Sequence, residues 1–350
     1  MSAGATETLS GTTSLTPADI AVVPAEVVSR IRSARTVLTV CHENPEADAL
    51  GSALSVALAV QELGGRATPV CSDKVPEMYS FMPLIDRFRQ DPDPDLEYDL
   101  IVVGDCGDLE RIGSLLGRNA ELFGRVPIVN IDHHISNTGF GAVDWIDATA
   151  AATCEMDTLL MPALGVPLTA ADGAIAAALI AGVVIDTANF QHPNVTPRTL
   201  RVAAELVAAG APLAPTARLL YRTKPNRQLK LFGLVLGRLE HDLDGKLVWS
   251  TLHESDFAAT DTSAQDAEGL SDLLSQSAEG ALVVLFRQNG DKTKISVRTR
   301  DGGLDATVLT GAFGGGGHAR AAGATIDLPI DQAIHAVLTA GRRMFDADGG

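Results

Sequence analysis

Four short apolar runs, far apart in the chain, each stop at an acid or a histidine. This repetition constrains the fold more than any other feature. RTVLTVC runs into His42, LIVVG into Asp105, PIVNI into Asp132, His133 and His134, and the Ala-rich run AALIAGVVI into Asp186. The first three have strand length and many β-branched residues, and helix-length segments lie between them. They read as strands of a mostly parallel sheet in an α/β domain with helices on both faces. Strands are expected at 35–42, 67–71, 99–105 and 127–132, with helices at 22–33, 48–63, 151–163 and 171–184 and helical material at 78–88 and 109–123. The carboxyl ends of parallel strands open onto the crevice where ligands bind, so acids and histidines remote in sequence are expected to meet there.

The organisation beyond this pattern is that of two domains. Residues 1–20 read as a flexible leader, 21–205 as the first domain, and 206–227, which combines turn formers with short helical pieces, as a connector. A smaller mixed α/β domain is expected over 228–345, with a helix at 226–238, a strand at 246–252, helical material at 266–277 and a closing helix at 331–344. Two further strands, 281–288 and 293–300, are joined by NGDK, a strong hairpin signal.

A formal net charge of −17 argues against gripping a long nucleic acid through a basic surface, which needs many Lys or Arg contacts to phosphate. It leaves a small anionic substrate open, because bound cations invert the field inside a cleft. Cys41, Cys71, Cys106 and Cys154 form no CxxC pair, so reduced cysteines in a cytoplasmic protein are expected rather than a zinc ribbon or disulfide framework. The leader lacks the basic and apolar regions of a secretory signal, and the apolar segment near 173–185 reads as a buried helix rather than a membrane span.

The run ends carry the chemistry. CHENPEAD places His42, Glu46 and Asp48 between a strand and a helix, and imidazole with carboxylates suits a divalent metal such as manganese. Asp48 has a second reading as a helix N-cap, and Glu46 as an exposed carboxylate. Asp105 at the mouth of its strand needs a metal, a partner or solvent. In an extended segment His133 and His134 would face opposite ways, one toward metal and the other toward substrate or packing. Asp186 reads as a ligand or as a satisfied helix-end carboxylate. Together the placements favour a dinuclear cluster, in which two ions about 3.5 to 4 Å apart hold the attacking and leaving oxygens and activate water near neutral pH.

These motifs in this order resemble the DHH family of phosphoesterases, and within it the bacterial oligoribonuclease and phosphoadenosine-phosphate phosphatase group with a C-terminal DHHA1 domain. HENPEAD, VVGDCGD, the DHH triplet at 132–134 and Asp186 match its four motifs, and GGGGHARAAG from Gly314 to Gly323 matches the DHHA1 domain. The similarity runs from about 35 to 325. The resemblance implies two Mn²⁺ ions, with Mg²⁺ or Co²⁺ possible. It implies His42, Glu46 and Asp105 around one, and Asp48, Asp105, His133 and Asp186 around the other, with Asp105 bridging. Asp132 would orient the histidines, and His134 would lie behind the metals or face substrate. Family members usually carry Asp at position 46, which puts metal choice at Glu46 in question. A homodimer is implied by the family alone.

Gly314, Gly315, Gly316 and Gly317 present consecutive amides suited to phosphate oxygens, without the Lys-Ser or Lys-Thr of a Walker loop. The other reading is a tight turn or close contact that requires small residues. His318 and Arg298 would add donors to the non-reacting part of a substrate. The resemblance points to short oligoribonucleotides, adenosine 3',5'-bisphosphate and linear or cyclic dinucleotides such as cyclic di-AMP. Two alternatives stand beside this: an inorganic pyrophosphatase, for which Arg287, Lys292, Lys294, Arg298, Arg300 and Arg320 supply charge, and a non-catalytic nucleotide sensor.

Overall fold

The computed structural model describes residues 15–300 and 303–348. They form two compact units divided between Thr223 and Lys224. In the first, β1 (Thr36–Val40), β2 (Arg66–Val70), β3 (Leu100–Gly104), β4 (Ile128–Asp132) and β5 (Val143–Ile146) form a sheet of order β2-β1-β3-β4-β5. Every neighbouring pair is parallel. β1, β3 and β4 are buried along their whole length, as strands covered on both faces must be. The edge strand β5 was not expected. Its four residues alternate buried and exposed, too short a run to stand out.

Successive residues of each strand feed two cores. Val37, Val102 and Ile131 pack on the side of α2 (Ala25–Ser33), α3 (Ala47–Glu62), α6 (Thr153–Leu164) and α7 (Ala174–Asp186). Leu38, Val103 and Ile128 pack on the other side, with Leu115 of α4 (Ser114–Arg118) and Phe123 of α5 (Ala120–Arg125). α3 is buried from Ala47 to Val60, which is why its sequence has no polar face. Small residues let α3 and α7 approach closely: a Cβ on Gly51 would stand 2.7 Å from the Ala178 carbonyl oxygen.

Three expectations change here. The leader ends earlier than residue 20: Leu15 is buried, α1 (Pro17–Ile20) is closed by a Thr16 and Asp19 capping box, and Asp19 takes two hydrogen bonds from Arg201 of α8 (Pro197–Ala208) at 2.6 and 2.9 Å. Residues 1–14 of that expected leader lie outside the described residues. The stretch 206–227 contains the end of α8, then α9 (Leu213–Tyr221), whose Leu220 joins the first core. The Tyr221 hydroxyl donates to the carbonyl oxygens of Val184 and Ile185 at 3.2 and 3.0 Å. The short helical pieces expected in this stretch are present, but they pack into the first core rather than forming a free connector. The helical material at 78–88 is two single 3₁₀ turns, Glu77–Tyr79 and Ile85–Arg87.

The second unit opens with α10 (Asn226–Leu236) and builds a sheet from β6 (Glu240–Asp242), β7 (Leu247–Leu252), β8 (Leu282–Asn289), β9 (Lys292–Thr299), β10 (Gly316–His318) and β11 (Ala321–Ile326). Its order is β10-β11-β9-β8-β7-β6, antiparallel except for the β7–β8 pair. The NGDK hairpin joins β8 to β9, with Gly290 at φ +58°. One face packs on α13 (Ala306–Gly311) and α14 (Ile330–Asp348), the other on α10 and α12 (Leu270–Leu274). α11 (Glu254–Thr260) follows β7. Among the described residues no helix is long and apolar enough to cross a membrane.

Candidate metal centre

β1 and β3 are neighbours although β2 lies between them in sequence, so the chain leaves their carboxyl ends in different directions and opens a crevice there. His42 follows β1 and Asp105 follows β3, at the two lips of that crevice. Asp105 sits at φ +57°, a left-handed conformation uncommon outside glycine but tolerated by aspartate, and its N–H donates to the Ile131 carbonyl at 3.0 Å. The strained backbone turns the carboxylate inward, where it is buried.

All six proposed metal ligands converge. His42, Glu46 and Asp105 form one group whose ligand atoms lie within 4.8 Å of one another, Asp48, His133 and Asp186 form a second, and Asp105, His133 and His134 a third. The two oxygens of Asp105 face different ways. Oδ2 is 3.5 Å from His42 Nε2, whereas Oδ1 is 3.5 Å from His133 Nε2 and 3.6 Å from His134 Nδ1. His133 Nε2 also stands 3.1 Å from Asp186 Oδ2.

The histidines are fixed from behind. His42 Nδ1 donates to the Glu43 carbonyl at 2.6 Å and His133 Nδ1 to the Ala150 carbonyl at 3.3 Å, so both Nε2 lone pairs point into the cluster. His134 Nδ1 donates to Asp132 Oδ1 at 2.7 Å, leaving its Nε2 free at the exposed rim. The two rings do not diverge as an extended segment would require: their centroids are 4.5 Å apart. Strand pairing ends at Asp132, and the loop beyond it is tied back by Asn137, which donates to Asp132 Oδ2 at 2.6 Å and to the Cys106 carbonyl at 3.1 Å.

The two weaker readings at the start of α3 exchange roles. Glu46, not Asp48, is the N-cap, accepting from Ala49 N at 3.3 Å while its Oε1 stands 3.4 Å from His42 Nε2. Asp48 is fully buried, and its two oxygens accept from the backbone N–H groups of Thr153 and Cys154 at 2.7 and 2.9 Å.

Electrostatics make a cation the natural resident. Glu46 with Asp105, and Asp48 with Asp186, are carboxylates within 4.8 Å. At an effective dielectric of about 20, each such like-charge pair costs roughly 3 kcal/mol or more. Burial, with Asp186 and Asp105 nearby, pushes Asp48 well above the usual carboxylate range, and burial also raises Glu46 and Asp186. Burial opposes a charge on His42, but hydrogen bonds to Asp105 and Glu46 outweigh it and carry the ring up to about 10. His133 rises to about 10 in the same way, against burial, through Asp186, Asp48 and Asp105. Asp105 is held well below the carboxylate range: burial opposes this, and His42 and His133 prevail. An excess of acid that forces protons onto imidazoles is the condition a divalent cation relieves. The donors fit one: nitrogen and oxygen throughout, with His133 Nε2 buried and in no hydrogen bond of acceptable geometry.

The second unit places its expected substrate residues differently. Arg298 on β9 lies opposite Ala321 on β11, which lies opposite His318 on β10. Directly opposed residues share a sheet face, so Arg298 and His318 flank a small alanine. Arg298 Nε also donates to Asp272 at 2.7 Å. Three of the four glycines have structural reasons: Gly314 sits at φ +72°, a Cβ on Gly317 would stand 2.6 Å from the Ala321 carbonyl oxygen, and one on Gly315 would collide with the Gly323 carbonyl. Gly316, by contrast, faces open space.

Several residues behind the cluster went unread in the sequence. Thr153, Glu155, Asn194 and Arg198 lie on or beside the start of α6, and their side chains bond largely to backbone groups of Ala151 and Asp186 and to one another, partners that only the fold reveals. Glu155, buried inside a helix, was the one available signal.

Residues 36–211 match the DHH family, N-terminal domain, and residues 244–342 match the DHHA1 domain. The chain is 36% identical over 329 residues to the bifunctional oligoribonuclease and PAP phosphatase NrnA of Thermus thermophilus, covering 93% of this chain and 94% of that protein. It is 26% identical to the protein of the same name from Bacillus subtilis, covering 86% and 92%. A solved structure of an exopolyphosphatase-related protein from Bacteroides fragilis superposes with a TM-score of 0.79 at 21% identity, covering 95% of this chain and 98% of that one, a likeness of fold. A family match over half of the chain, a relative at 36% identity along nearly all of it, and a converged cluster of acids and histidines lead to one assignment: the chain belongs to the DHH family of metal-using phosphoesterases and carries a DHHA1 domain.

Proposed function

We propose that this enzyme hydrolyses short oligoribonucleotides, linear or cyclic dinucleotides and adenosine 3',5'-bisphosphate with two Mn²⁺ ions, Mg²⁺ or Co²⁺ being possible substitutes. The observation that carries the reading is the sharing of Asp105, with one oxygen toward His42 and the other toward His133. His42, Glu46 and Asp105 would hold one ion, and Asp48, Asp105, His133 and Asp186 the other. Such a pair of ions supplies an activated water near neutral pH and neutralises phosphoryl charge.

The protein's own groups do the rest. Asp132 holds His134 by Nδ1, and this hydrogen bond raises the ring's pKa despite burial. His134 is then placed to donate a proton to the departing oxygen, a role worth about 10²- to 10⁴-fold in rate. In the second unit, Arg298, His318 and the amides of Gly314, Gly315, Gly316 and Gly317 are assigned to the part of the nucleotide that does not react. We place the enzyme in the cytoplasm, in keeping with four unpaired buried cysteines, and carry forward a homodimer from the family.

The test is a turnover panel of adenosine 3',5'-bisphosphate, pApA, cyclic di-AMP, RNAs of two to ten nucleotides and pyrophosphate, each with Mn²⁺, Mg²⁺ and Co²⁺. Preferential hydrolysis of the short nucleotides with Mn²⁺ is expected. Turnover of pyrophosphate alone would establish the pyrophosphatase alternative, and no metal-dependent turnover would establish the sensor.

A further inference from the structure

The segment that precedes and opens α6 bonds to three of the six proposed ligands, His133, Asp48 and Asp105. The Ala150 carbonyl accepts from His133 Nδ1, and the Thr153 and Cys154 N–H groups hold both oxygens of Asp48. Asn194 Nδ2 bridges the carbonyls of Ala151 and Asp186 at 3.1 and 3.3 Å. Thr153 does two things at once: besides its N–H to Asp48, its Oγ1 donates to Asp105 Oδ1 at 3.1 Å. It is fully buried and belongs to none of the four motifs.

Resting on the two-metal reading above, we infer that Thr153 is a positioning residue for the metal centre, its hydroxyl fixing the rotation of the Asp105 carboxylate so that each oxygen faces a different ion. A carboxylate tied only at its backbone is free to turn about its last torsion, which is broad and roughly two-fold. The Thr153 hydroxyl selects the orientation in which Oδ1 faces His133 and Oδ2 faces His42. Its own N–H registers Asp48 to the same frame. The frame is held from behind: Glu155 is fully buried, accepts from Ala151 N at 3.2 Å and from Arg198 Nε at 2.6 Å, and Arg198 Nη2 lies 2.9 Å from Asp147 Oδ2. Thr153 therefore stands on a braced helix end, and its hydroxyl transmits that rigidity to Asp105. Groups that orient metal ligands in this manner typically change metal affinity or activity about 10- to 100-fold when removed.

The experiment compares T153V, which keeps the shape and the N–H but loses the hydroxyl, with T153S, which keeps the hydroxyl. Mn²⁺ uptake by the metal-stripped full-length protein is measured by isothermal titration, beside kcat on pApA at saturating Mn²⁺. We expect T153V to bind Mn²⁺ about tenfold more weakly or worse, with wild-type circular dichroism, and T153S to stay within about threefold of wild type. Should T153V not fold, T153A against T153S carries the same contrast. Equal Mn²⁺ titrations for wild type and T153V overturn the inference, as does T153S falling as far as T153V. Failure of the underlying reading looks different: wild type itself would then take up no Mn²⁺.

Discussion

The acid and histidine cluster of the first unit and the glycine-rich edge of the second differ in how their residues depend on one another. In the first, Asp48, Asp105, His42 and Asp132 are buried, and each candidate group is held by at least one other or by the helix behind it. In the second, His318 is exposed and Arg298 only half-buried; they stand on separate strands with Ala321 between them. Buried, mutually held groups act as a unit, and their removal is non-additive; separated exposed groups act independently. On the proposed assignment, bond breaking and substrate holding would be built to different tolerances in this chain.

The largest effect tests the unit. Asp105→Asn keeps the shape of a side chain that faces two groups of ligands but removes the charge they share, and kcat should fall at least about 100-fold with the fold retained. A folded variant with near wild-type kcat at saturating Mn²⁺ would break the comparison at its centre.

A smaller and more selective effect is expected at the glycine-rich edge. His318→Ala should lower kcat/KM for pApA by roughly 10- to 100-fold, the worth of one charge-assisted hydrogen bond, while leaving bis-p-nitrophenyl phosphate almost untouched. Arg298→Ala should cost less, because Asp272 already engages its guanidinium. The double variant should show the product of the two single losses. Equal losses on both esters would return the glycine stretch to a purely structural role.

The smallest effect is on stability, and it sharpens what burial means here. Asp157 on α6 is fully buried and neither oxygen finds a hydrogen bond of good geometry; burial pushes its carboxyl up to about 7, with the nearby Ser52 hydroxyl offsetting part of the shift. Its folded-state pKa lies above the unfolded value of about 3.9, so its contribution is intact below about pH 4 and is lost as pH rises through about 7. Asp157→Asn should therefore raise the melting temperature by several degrees at pH 8 and by less at pH 5, as calorimetry at the two pH values would reveal. An equal gain at both would show that the group does not titrate in this window.

Much of the first unit was legible in the sequence, because buried parallel strands are continuous apolar runs whose ends mark the crevice. His42 and Asp105 were readable for that reason, and Asp186 because it closes the apolar run of α7. What was not readable lay in backbone groups and packing. The N–H groups of Thr153 and Cys154 carry no residue code, and the exchange of roles between Glu46 and Asp48 depends on where α3 begins, a matter of two residues. β5 escaped because it is short and half exposed, and α9 was legible only as a short helical piece of a connector because Pro212 and Pro215 sit at its start. In the second unit the hairpin was legible from Asn-Gly, but the alignment of Arg298 with His318 across three strands required the register.

The all-parallel order β2-β1-β3-β4-β5 also sets a schedule. No neighbouring pair in that sheet is closed by a tight hairpin, so each must wait for a crossover, and structures dominated by such distant pairings fold slowly. The candidate ligands are spread from His42 to Asp186, and the helix end that braces Asp105 and Asp48 begins only at Thr153. A nascent chain emerging amino terminus first therefore exposes HENPEAD long before the partners that complete its site have been synthesised. On the proposed two-metal reading, capture of the ions would come late in the birth of the domain, after the strands of its sheet have been synthesised.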